Sequence, residues 1–169
     1  MQLIYGKPDA VIDSETLGSL LGQAFHEIGC SKALLLPPDI TRLYSKAGEI
    51  TKILCDILPG KKTIMPTIGT HEPLNNKHRK VMYCEIPSEL FVTHDWRNDV
   101  IELGKVPSDF IHCVSEGRLN YEIPIQVNKI LIEGGYDLIV SIGQVVPHEN
   151  TGFANHNKNI FVGIGGEET

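Results

Sequence analysis

Short apolar runs alternate with amphipathic segments along most of the chain. Between Ser14 and Gly29 the apolar positions recur at helical spacing, which predicts a helix that Ser14 caps and Gly29 ends. The uninterrupted apolar run at 33–36 predicts a buried strand, and the spacing over 46–58 predicts a second amphipathic helix. The first third of the chain is therefore expected to form one strand between two helices.

The same alternation continues to residue 143. Each apolar strand is followed by a polar loop and then by a segment at helical spacing, an order that is typical of parallel α/β folds. The further predicted elements are strand 63–66, helix 75–83, strand-like segments 89–94 and 99–103, helix 127–133 and strand 137–143. Residues 108–120 fit either a turn or a short helix. We therefore predict an α/β fold with a mostly parallel sheet flanked by helices.

Length and composition fit one globular domain over residues 1–169. A chain of this size buries roughly two-thirds of its unfolded surface without disulfides or a structural metal. With 41% hydrophobic and 21% charged residues, the composition is that of a globular protein rather than a disordered one. No apolar run approaches the ~20 residues of a membrane span, and the amino terminus lacks a secretory signal, so the expected compartment is the cytoplasm.

Charge and cysteine usage narrow the class of partner. The formal net charge is −6, and the 15 Lys and Arg residues are scattered along the sequence, which argues against the basic stripe that nucleic-acid binding needs. A small molecule is therefore the expected ligand. The four cysteines form no Cys-x-x-Cys pair, so we expect reduced and mostly buried thiols rather than a zinc knuckle.

Chemically active side chains cluster in the loops that follow three predicted strands. Because parallel strands share a direction, the loops starting at Asp39, Thr67 and Pro147 should emerge at one edge of the sheet and converge on one crevice. These loops carry the candidate residues Asp39, Thr41, Arg42, Thr70, His71, Glu72, His148 and Lys158. Arginine offers a planar fork for a carboxylate or phosphate, and histidine exchanges protons near neutral pH. Two histidines facing each other could remove a proton from one face of a substrate and return it on the other.

The remaining histidines receive no catalytic role. His26, His78, His94 and His112 lie in helical or strand-like segments, where solvated or packed side chains are the ordinary case. His156 could act as an extra ligand, but a position on the polar surface of a helix is the simpler interpretation.

The order and spacing of the loop residues resemble those of a known family. The matching motifs are Asp39-x-Thr41-Arg42, Thr70-His71 followed by Pro73, and His148 followed by Gly152-Phe153 and Lys158. They are similar to the amino-terminal half of the nickel-pincer lactate racemases over most of the chain. The segment from His148 to Lys158 is the most specific part of this resemblance. The resemblance implies a Rossmann-like amino-terminal domain that binds the cofactor.

The resemblance also implies a cofactor and roles for the site residues. In that family a lysine, here Lys158, carries a nickel-pincer nucleotide, which is a pyridinium mononucleotide attached through a thioamide bond. This group takes a hydride from the α carbon of a 2-hydroxy acid while two histidines, here His71 and His148, act as acid and base. The phosphate or the substrate carboxylate would be held by Asp39, Thr41, Arg42, Thr70 and Gly152. The implied partners are the 2-hydroxy acid and the enzymes that build the cofactor.

Two departures from the family pattern limit what the resemblance implies. Residues 155–159 are Asn-His-Asn-Lys-Asn where the racemases have a glycine-rich run, so close backbone approach to a phosphate is less assured. A further nickel-ligating histidine and a second, carboxyl-terminal lobe have no counterpart in the 169 residues. We therefore expect the amino-terminal domain of an isomerase, a 2-hydroxy-acid racemase or epimerase, that is inactive without the missing lobe.

Two other functions stay open. A non-catalytic module that binds a nucleotide or another small molecule would keep the fold and the loops but not the reaction, and the altered surroundings of Lys158 favour it. A metal-dependent hydrolase could use Asp39, His71 and His148 as zinc or manganese ligands, but it gives Lys158 no part. The motifs do not identify the hydroxy acid, which could be lactate, a larger hydroxy acid or a sugar acid.

Overall fold

The computed structural model describes residues 6–149 and 151–169, and a three-stranded parallel sheet in the order β2-β1-β5 lies at its centre. The middle strand β1 pairs with both neighbours and its last four residues are fully buried, which explains why this segment is uniformly apolar. The strands are β1 (Lys32–Leu36), β2 (Lys61–Ile64), β3 (Val100–Val106), β4 (Ile123–Asn128), β5 (Leu138–Ser141), β6 (Pro147–His148) and β7 (Gly152–Phe153). The helices are α1 (Ser14–Phe25), α2 (Ala47–Ile57), α3 (Asn76–Tyr83), α4 (Ser108–Val114), α5 (Ile130–Glu133) and α6 (Asn157–Phe161), with 3-10 helices at Ile40–Ser45 and Ser88–Leu90.

Helices cover both faces of the parallel sheet. Successive side chains of a strand point to opposite faces, and Ala33 and Leu35 of β1 pack in one apolar cluster with residues of α2 and α3. Leu34 and Leu36 pack in a second cluster with residues of α5 and α6. The predicted α/β fold, with a parallel sheet flanked by helices, is therefore confirmed.

Helix α1 packs against α2 on the amino-terminal side of the fold. The predicted helix is confirmed, but it ends at Phe25 rather than Gly29, and Asp13 rather than Ser14 caps it. The Asp13 carboxylate accepts a hydrogen bond of 2.8 Å from the N–H of Thr16, and this bond lowers the pKa of Asp13. No helix among the described residues combines the length and the apolar character that crossing a membrane takes.

Strands β3 and β4 form a separate antiparallel pair, and α4 lies between them in the chain. The strand predicted at 99–103 is confirmed, and the ambiguous stretch that follows begins with the short helix α4. The helix predicted over 127–133 is wrong at its start, because its first two residues pair with β3 and α5 begins only at Ile130. The long-range ladder therefore overrides the local helical spacing there.

The strand predicted at 89–94 is wrong. The 3-10 turn that follows Pro87 takes the first part of it, and beyond the turn only Phe91 forms a bridge, with Ile64 at the end of β2. The N–H of Val92 donates to the carbonyl oxygen of Ile64 at 2.9 Å. The segment follows the edge of the sheet for two residues only, so its apolar alternation reflects packing rather than a ladder.

His94 connects its own loop to two other segments through hydrogen bonds, and its side chain is buried. The Nε2 atom donates to the carbonyl oxygen of Gly165 at 2.9 Å, because a carbonyl only accepts. The Nδ1 atom therefore accepts from the side-chain amide of Asn128, also at 2.9 Å. Burial lowers the pKa of the His94 imidazole. His94 is packed, as predicted, and it holds the carboxyl-terminal segment against β4.

All four cysteines are free thiols. Cys30 is buried and Cys55 is partly buried, and burial raises the pKa of the Cys55 thiol. Cys84 and Cys113 are exposed. The prediction of mostly buried thiols is therefore wrong for Cys84, which directly follows α3, and for Cys113, which lies on the exposed side of α4.

Candidate functional site

A cavity of ≈ 170 Å³ opens beyond the carboxyl ends of the three parallel strands. The predicted site residues that line it are Asp39, Thr41, Arg42, Thr70, His71 and Lys158, six of the nine. They come from the loops after β1, β2 and β5, which the parallel strands direct to one edge of the sheet. Glu72, which is among the described residues, is exposed and does not line this cavity.

The loop after β1 is shaped by Asp39 and tied to the loop after β2. The Asp39 carboxylate caps the following 3-10 helix, where it accepts from the N–H of Thr41 at 3.0 Å and from its hydroxyl at 2.5 Å. The N–H of Thr67 donates to the carbonyl oxygen of Pro37 at 2.7 Å, and Pro38 forms a parallel bridge with Thr67. The pairing of β1 with β2 thus continues past both strands and keeps the two loops side by side.

Asp39 also contacts His71 across these two loops. Its Oδ2 lies 2.6 Å from Nδ1 of His71, and Asp39 is buried whereas the His71 side chain is 61% exposed. Because a carboxylate only accepts, we assign the ring hydrogen to Nδ1, and the neutral ring then keeps its lone pair on Nε2. Such an imidazole, fixed in tautomer and direction at the wall of a cavity, suits a general base.

Tyr83 anchors the loop that carries Asp39. Its hydroxyl donates to the carbonyl oxygen of Pro38 at 2.6 Å. Burial, together with the nearby charge of Asp39, raises the pKa of Tyr83, so the phenol stays protonated and keeps donating. Both oxygens of the Asp39 carboxylate are engaged, by Thr41 and by His71. The geometry therefore favours an orienting role for Asp39 over the predicted contact with a phosphate or carboxylate.

Arg42 brings a permanent positive charge to the cavity. Its φ of −110° and ψ of 34° interrupt the 3-10 helix, and its N–H donates to the carbonyl oxygen of Asp39 at 3.1 Å. Thr70 adds an exposed residue with a hydroxyl, whereas the Thr41 hydroxyl is engaged by Asp39. A guanidinium beside a hydroxyl suits a carboxylate or a phosphate group.

An amide network, which sequence reasoning missed, holds the loop after β5. Buried Asn159 donates through Nδ2 to Oγ of Ser141 at 3.0 Å and to Oδ1 of Asn155 at 2.6 Å. The Ser141 hydroxyl donates to the same Asn155 oxygen at 2.7 Å, and Nδ2 of Asn155 donates to the carbonyl oxygen of Gly143 at 2.8 Å. Two asparagines four residues apart after a strand that ends in serine were the available signal, but that pattern equally describes an exposed helix face.

Lys158 lies in the first turn of α6, between the two asparagines. Its N–H donates to the carbonyl oxygen of Asn155 at 3.1 Å, and its partly buried side chain lines the cavity. It also lines a second, more open cavity of ≈ 670 Å³, which Phe153 and Phe161 border. Asn155, Lys158 and Val162 belong to both cavities and form the wall between them. A group attached to the lysine amine could therefore extend into either cavity.

The two other predicted residues, His148 and Gly152, lie in the short antiparallel hairpin of β6 and β7 and, among the described residues, do not line the first cavity. The His148 side chain is 15% exposed, and its Nδ1 lies 3.9 Å from a carboxylate oxygen of Glu149. A hydrogen bond from its own backbone lowers the pKa of Glu149, and interactions with the charges of His148, Arg42 and Lys158 lower it further. Val146 and Ala154, which flank the hairpin, line the cavity, so the hairpin lies next to it.

Within residues 6–149 and 151–169, no group of three or more His, Cys, Asp or Glu side chains is arranged to hold a metal ion. Asp39 and His71 contact each other, but His148 does not complete a ligand set with them. His156 is exposed and lines only the second cavity. The arrangement gives the hydrolase hypothesis no support.

Residues 98–169 match the family model of the lactate racemase N-terminal domain. The match confirms the resemblance over the segment that contains His148 and Lys158, whereas the motifs at 39–42 and 70–73 lie outside the matched residues. No curated protein matches the chain by sequence.

Two solved structures share the fold over nearly the whole chain. A protein from Thermotoga maritima is 26% identical with a TM-score of 0.76, and the alignment covers 92% of this chain and 39% of that one. The lactate racemase apoprotein from Thermoanaerobacterium thermosaccharolyticum is 22% identical with a TM-score of 0.68, over 97% of this chain and 42% of that one. The chain thus spans about two-fifths of the length of these proteins.

Proposed function

Because residues 98–169 match the lactate racemase N-terminal domain, we propose that this chain is the cofactor-carrying, amino-terminal part of a 2-hydroxy-acid racemase or epimerase. The observation that carries the proposal is the single cavity into which three loops bring Arg42, His71 and Lys158. They supply a cation for an anionic group, an oriented imidazole for proton transfer and an amine for attaching a cofactor. Residues 1–169 would form one domain of a longer enzyme, whose carboxyl-terminal lobe closes the cavity.

The residues that line the cavity fit the nickel-pincer nucleotide. Lys158 would carry the group on its amine, and Arg42 with Thr70 would hold its phosphate or the carboxylate of the substrate. When bound, the group supplies a nickel centre and a pyridinium carbon that accept a hydride. The nickel would be held by the nucleotide, since the described residues present no ligand set of their own.

His71 would move the proton of the substrate hydroxyl. With the Asp39 carboxylate at 2.6 Å from Nδ1, Nε2 accepts that proton and the ring becomes an imidazolium, which the buried carboxylate stabilises. The proton returns from Nε2 when the hydroxyl is formed again. Asp39 thereby acts as a positioning residue for His71.

His148 would serve as the second acid–base group. The hairpin that carries it lies beside the cavity, since Glu149 interacts with the charges of Arg42 and Lys158. With His71 and His148 on opposite sides of the substrate, each imidazole would exchange the hydroxyl proton of one enantiomer. The second lobe would exclude water from the cleft, so the chain alone should not turn over substrate.

The first test is the intact mass of the protein isolated from its native cells grown with nickel. We expect a chain longer than 169 residues that carries an added, nucleotide-sized mass, which fragmentation assigns to Lys158. Lys158→Ala should lose the added mass, and so should Lys158→Arg, which keeps the positive charge but has no amine to acylate. An unmodified Lys158 in nickel-grown cells would refute the tethered cofactor.

A non-catalytic nucleotide-binding module is the second candidate, and one observation favours it. Asn155 and His156 stand where the family has glycines, and the Asn155 side chain is held by Ser141 and the Gly143 carbonyl. Calorimetric titration with a pyridine mononucleotide separates the two functions. In a reversible module Lys158→Ala weakens binding roughly tenfold through loss of one charged contact, and no adduct forms in any cell.

A further inference from the structure

Ser141, Asn155 and Asn159 form a closed set of hydrogen-bond donors and acceptors at the end of β5. The Nδ2 atom of Asn159 lies within bonding distance of three oxygens, those of Ser141, Asn155 and the Ile142 carbonyl. The Oδ1 atom of Asn155 in turn accepts from both Ser141 and Asn159. No buried side-chain nitrogen or oxygen of the described residues lacks a partner. The Ser141 hydroxyl, Oδ1 of Asn155 and Nδ2 of Asn159 are therefore all engaged within the network.

This network surrounds a backbone conformation that asparagine and histidine rarely adopt. Asn155 has a φ of 62°, and His156 has a φ of 50° with a ψ of −135°. Asparagine tolerates the left-handed region, but the His156 angles lie where glycine is comfortable and a Cβ is strained. Such strain persists only where the surrounding contacts over-determine the conformation. The bonds from Asn155 to Ser141 and Gly143 supply these contacts.

The same turn decides where Lys158 stands. The N–H of Lys158 donates to the carbonyl oxygen of Asn155, and the N–H of Asn159 donates to that of His156, both at 3.1 Å. The first turn of α6 is thus built directly on the two left-handed residues. Any rotation of that turn would move Lys158 away from the wall between the two cavities.

We propose that Ser141, Asn155 and Asn159 are positioning residues for Lys158, because their network fixes the turn before α6 and so holds the lysine amine at the wall between the two cavities. The chemistry of the placed lysine rests on the proposed function, whereas the placement itself does not. Side-chain hydrogen bonds here hold a conformation that glycine adopts without strain.

Competitive acetylation measures the placement of Lys158 directly. The full chain is treated with trace acetic anhydride across the neutral to alkaline pH range. Peptide mass spectrometry then gives the rate at Lys158 relative to that at exposed Lys77 in the same sample. Because the ratio is internal, a variant that only lowers global stability leaves it unchanged while circular dichroism shows the chain folded.

Loss of the network should release the lysine. Asn159→Ala and Ser141→Ala are each expected to raise the relative rate at Lys158 roughly fivefold, the shift in an equilibrium that one net hydrogen bond produces. Ser141→Thr keeps the hydroxyl and should keep the wild-type rate. His156→Gly is the matched control, since it relieves the strain without touching the network and should leave the rate unchanged.

Unchanged relative rates in both Asn159→Ala and Ser141→Ala, with the chain folded, would overturn the positioning role. A change in His156→Gly as large as that in Asn159→Ala would also overturn it, because the backbone alone would then set the placement. If Asn159→Ala does not fold, Ser141→Ala and Asn155→Gly decide. Failure of the proposed function looks different, because Lys158 is then unmodified in native cells while its relative rate still responds to these variants.

Discussion

The two sides of the cavity hold their functional side chains in different ways. On the β1–β2 side, buried Asp39 contacts His71 at 2.6 Å, so one ionisable group orients another directly. On the β5 side, the neutral amides of Asn155 and Asn159 fix the backbone turn that carries Lys158. The Lys158 side chain itself lines the cavity. The first arrangement sets the tautomer of a ring, and the second sets only a position.

The difference follows from the chemistry of the side chains that are held. An imidazole has two nitrogens, so one partner on Nδ1 sets both the tautomer and the direction of Nε2. A lysine carries its amine at the end of a flexible four-carbon stem, and a charged partner on that amine would hinder its reaction. A charged contact therefore suits a group that exchanges protons, and a neutral network suits an amine that must remain available.

Gly163 lies between the two sides, and its replacement should disturb both. A Cβ there would come within 2.5 Å of the Thr67 side chain and of the Asn159 carbonyl oxygen, so Gly163→Ala must displace a loop or α6. We expect the free energy of unfolding to fall by about 2–3 kcal/mol in denaturant titration. Gly18→Ala in α1 is the control, since its Cβ would meet nothing within 4 Å. That variant should gain about 0.5–1 kcal/mol, and equal losses in both would contradict the steric explanation.

Substitution of His94 should show how much stability comes from holding the segment that follows α6 against β4. His94→Gln leaves Asn128 or Gly165 without its partner, and we expect a loss of about 1–2 kcal/mol. Burial holds the pKa of His94 below its ordinary 6.5 in the folded protein, so below pH 6.5 the unfolded chain binds more protons than the folded one. The stability is therefore complete above that pH and falls as the pH drops below it.

Denaturant titrations at several pH values measure the pH dependence of His94. The wild-type chain should lose stability on acidification below pH 6.5, and His94→Gln should show a shallower decline. Parallel declines in the two proteins would exclude His94 as the source.

Asp39→Asn removes the negative charge beside His71 while keeping the shape of the Asp39 side chain. Because Oδ1 must still accept from Thr41, the new amide nitrogen faces His71 and donates to Nδ1. The ring hydrogen then moves to Nε2, and the lone pair leaves the cavity. We expect a stability change of about 1 kcal/mol or less, whereas nitrogen NMR of the ring should report the reversed tautomer. An unchanged tautomer would mean that Asp39 does not set it.

His156→Gly should have the smallest effect and the opposite sign. Glycine removes the strain at a φ of 50° and a ψ of −135°, at an entropic cost in the unfolded chain, and the net gain should be about 0.5–1 kcal/mol. Thermal unfolding measures the gain. A lower melting temperature would show that the His156 side chain makes contacts that outweigh the strain.

The parallel strands and their loops could be predicted because their signals are local. An apolar run such as 33–36 can be recognised as a strand without knowledge of its neighbours. Because parallel strands share a direction, the loops that follow them then meet at one edge of the sheet. Helix ends were less certain, since Asp13 and Ser14 both offer a capping oxygen and the backbone geometry selects Asp13. The segments 89–94 and 127–133 were mispredicted because apolar alternation reveals burial but not the pairing partner.

The sequence by itself determined which residue types follow each parallel strand, and so the chemical inventory of the cavity. Only the tertiary structure decided that Asp39 turns to His71, that Asn159 closes on Ser141, and that His148 lies in a separate hairpin. The physical reason is that these contacts join residues 32 and 18 positions apart in the chain. Local propensity carries no information about such pairs, because their hydrogen bonds form only after the strands have brought the loops together.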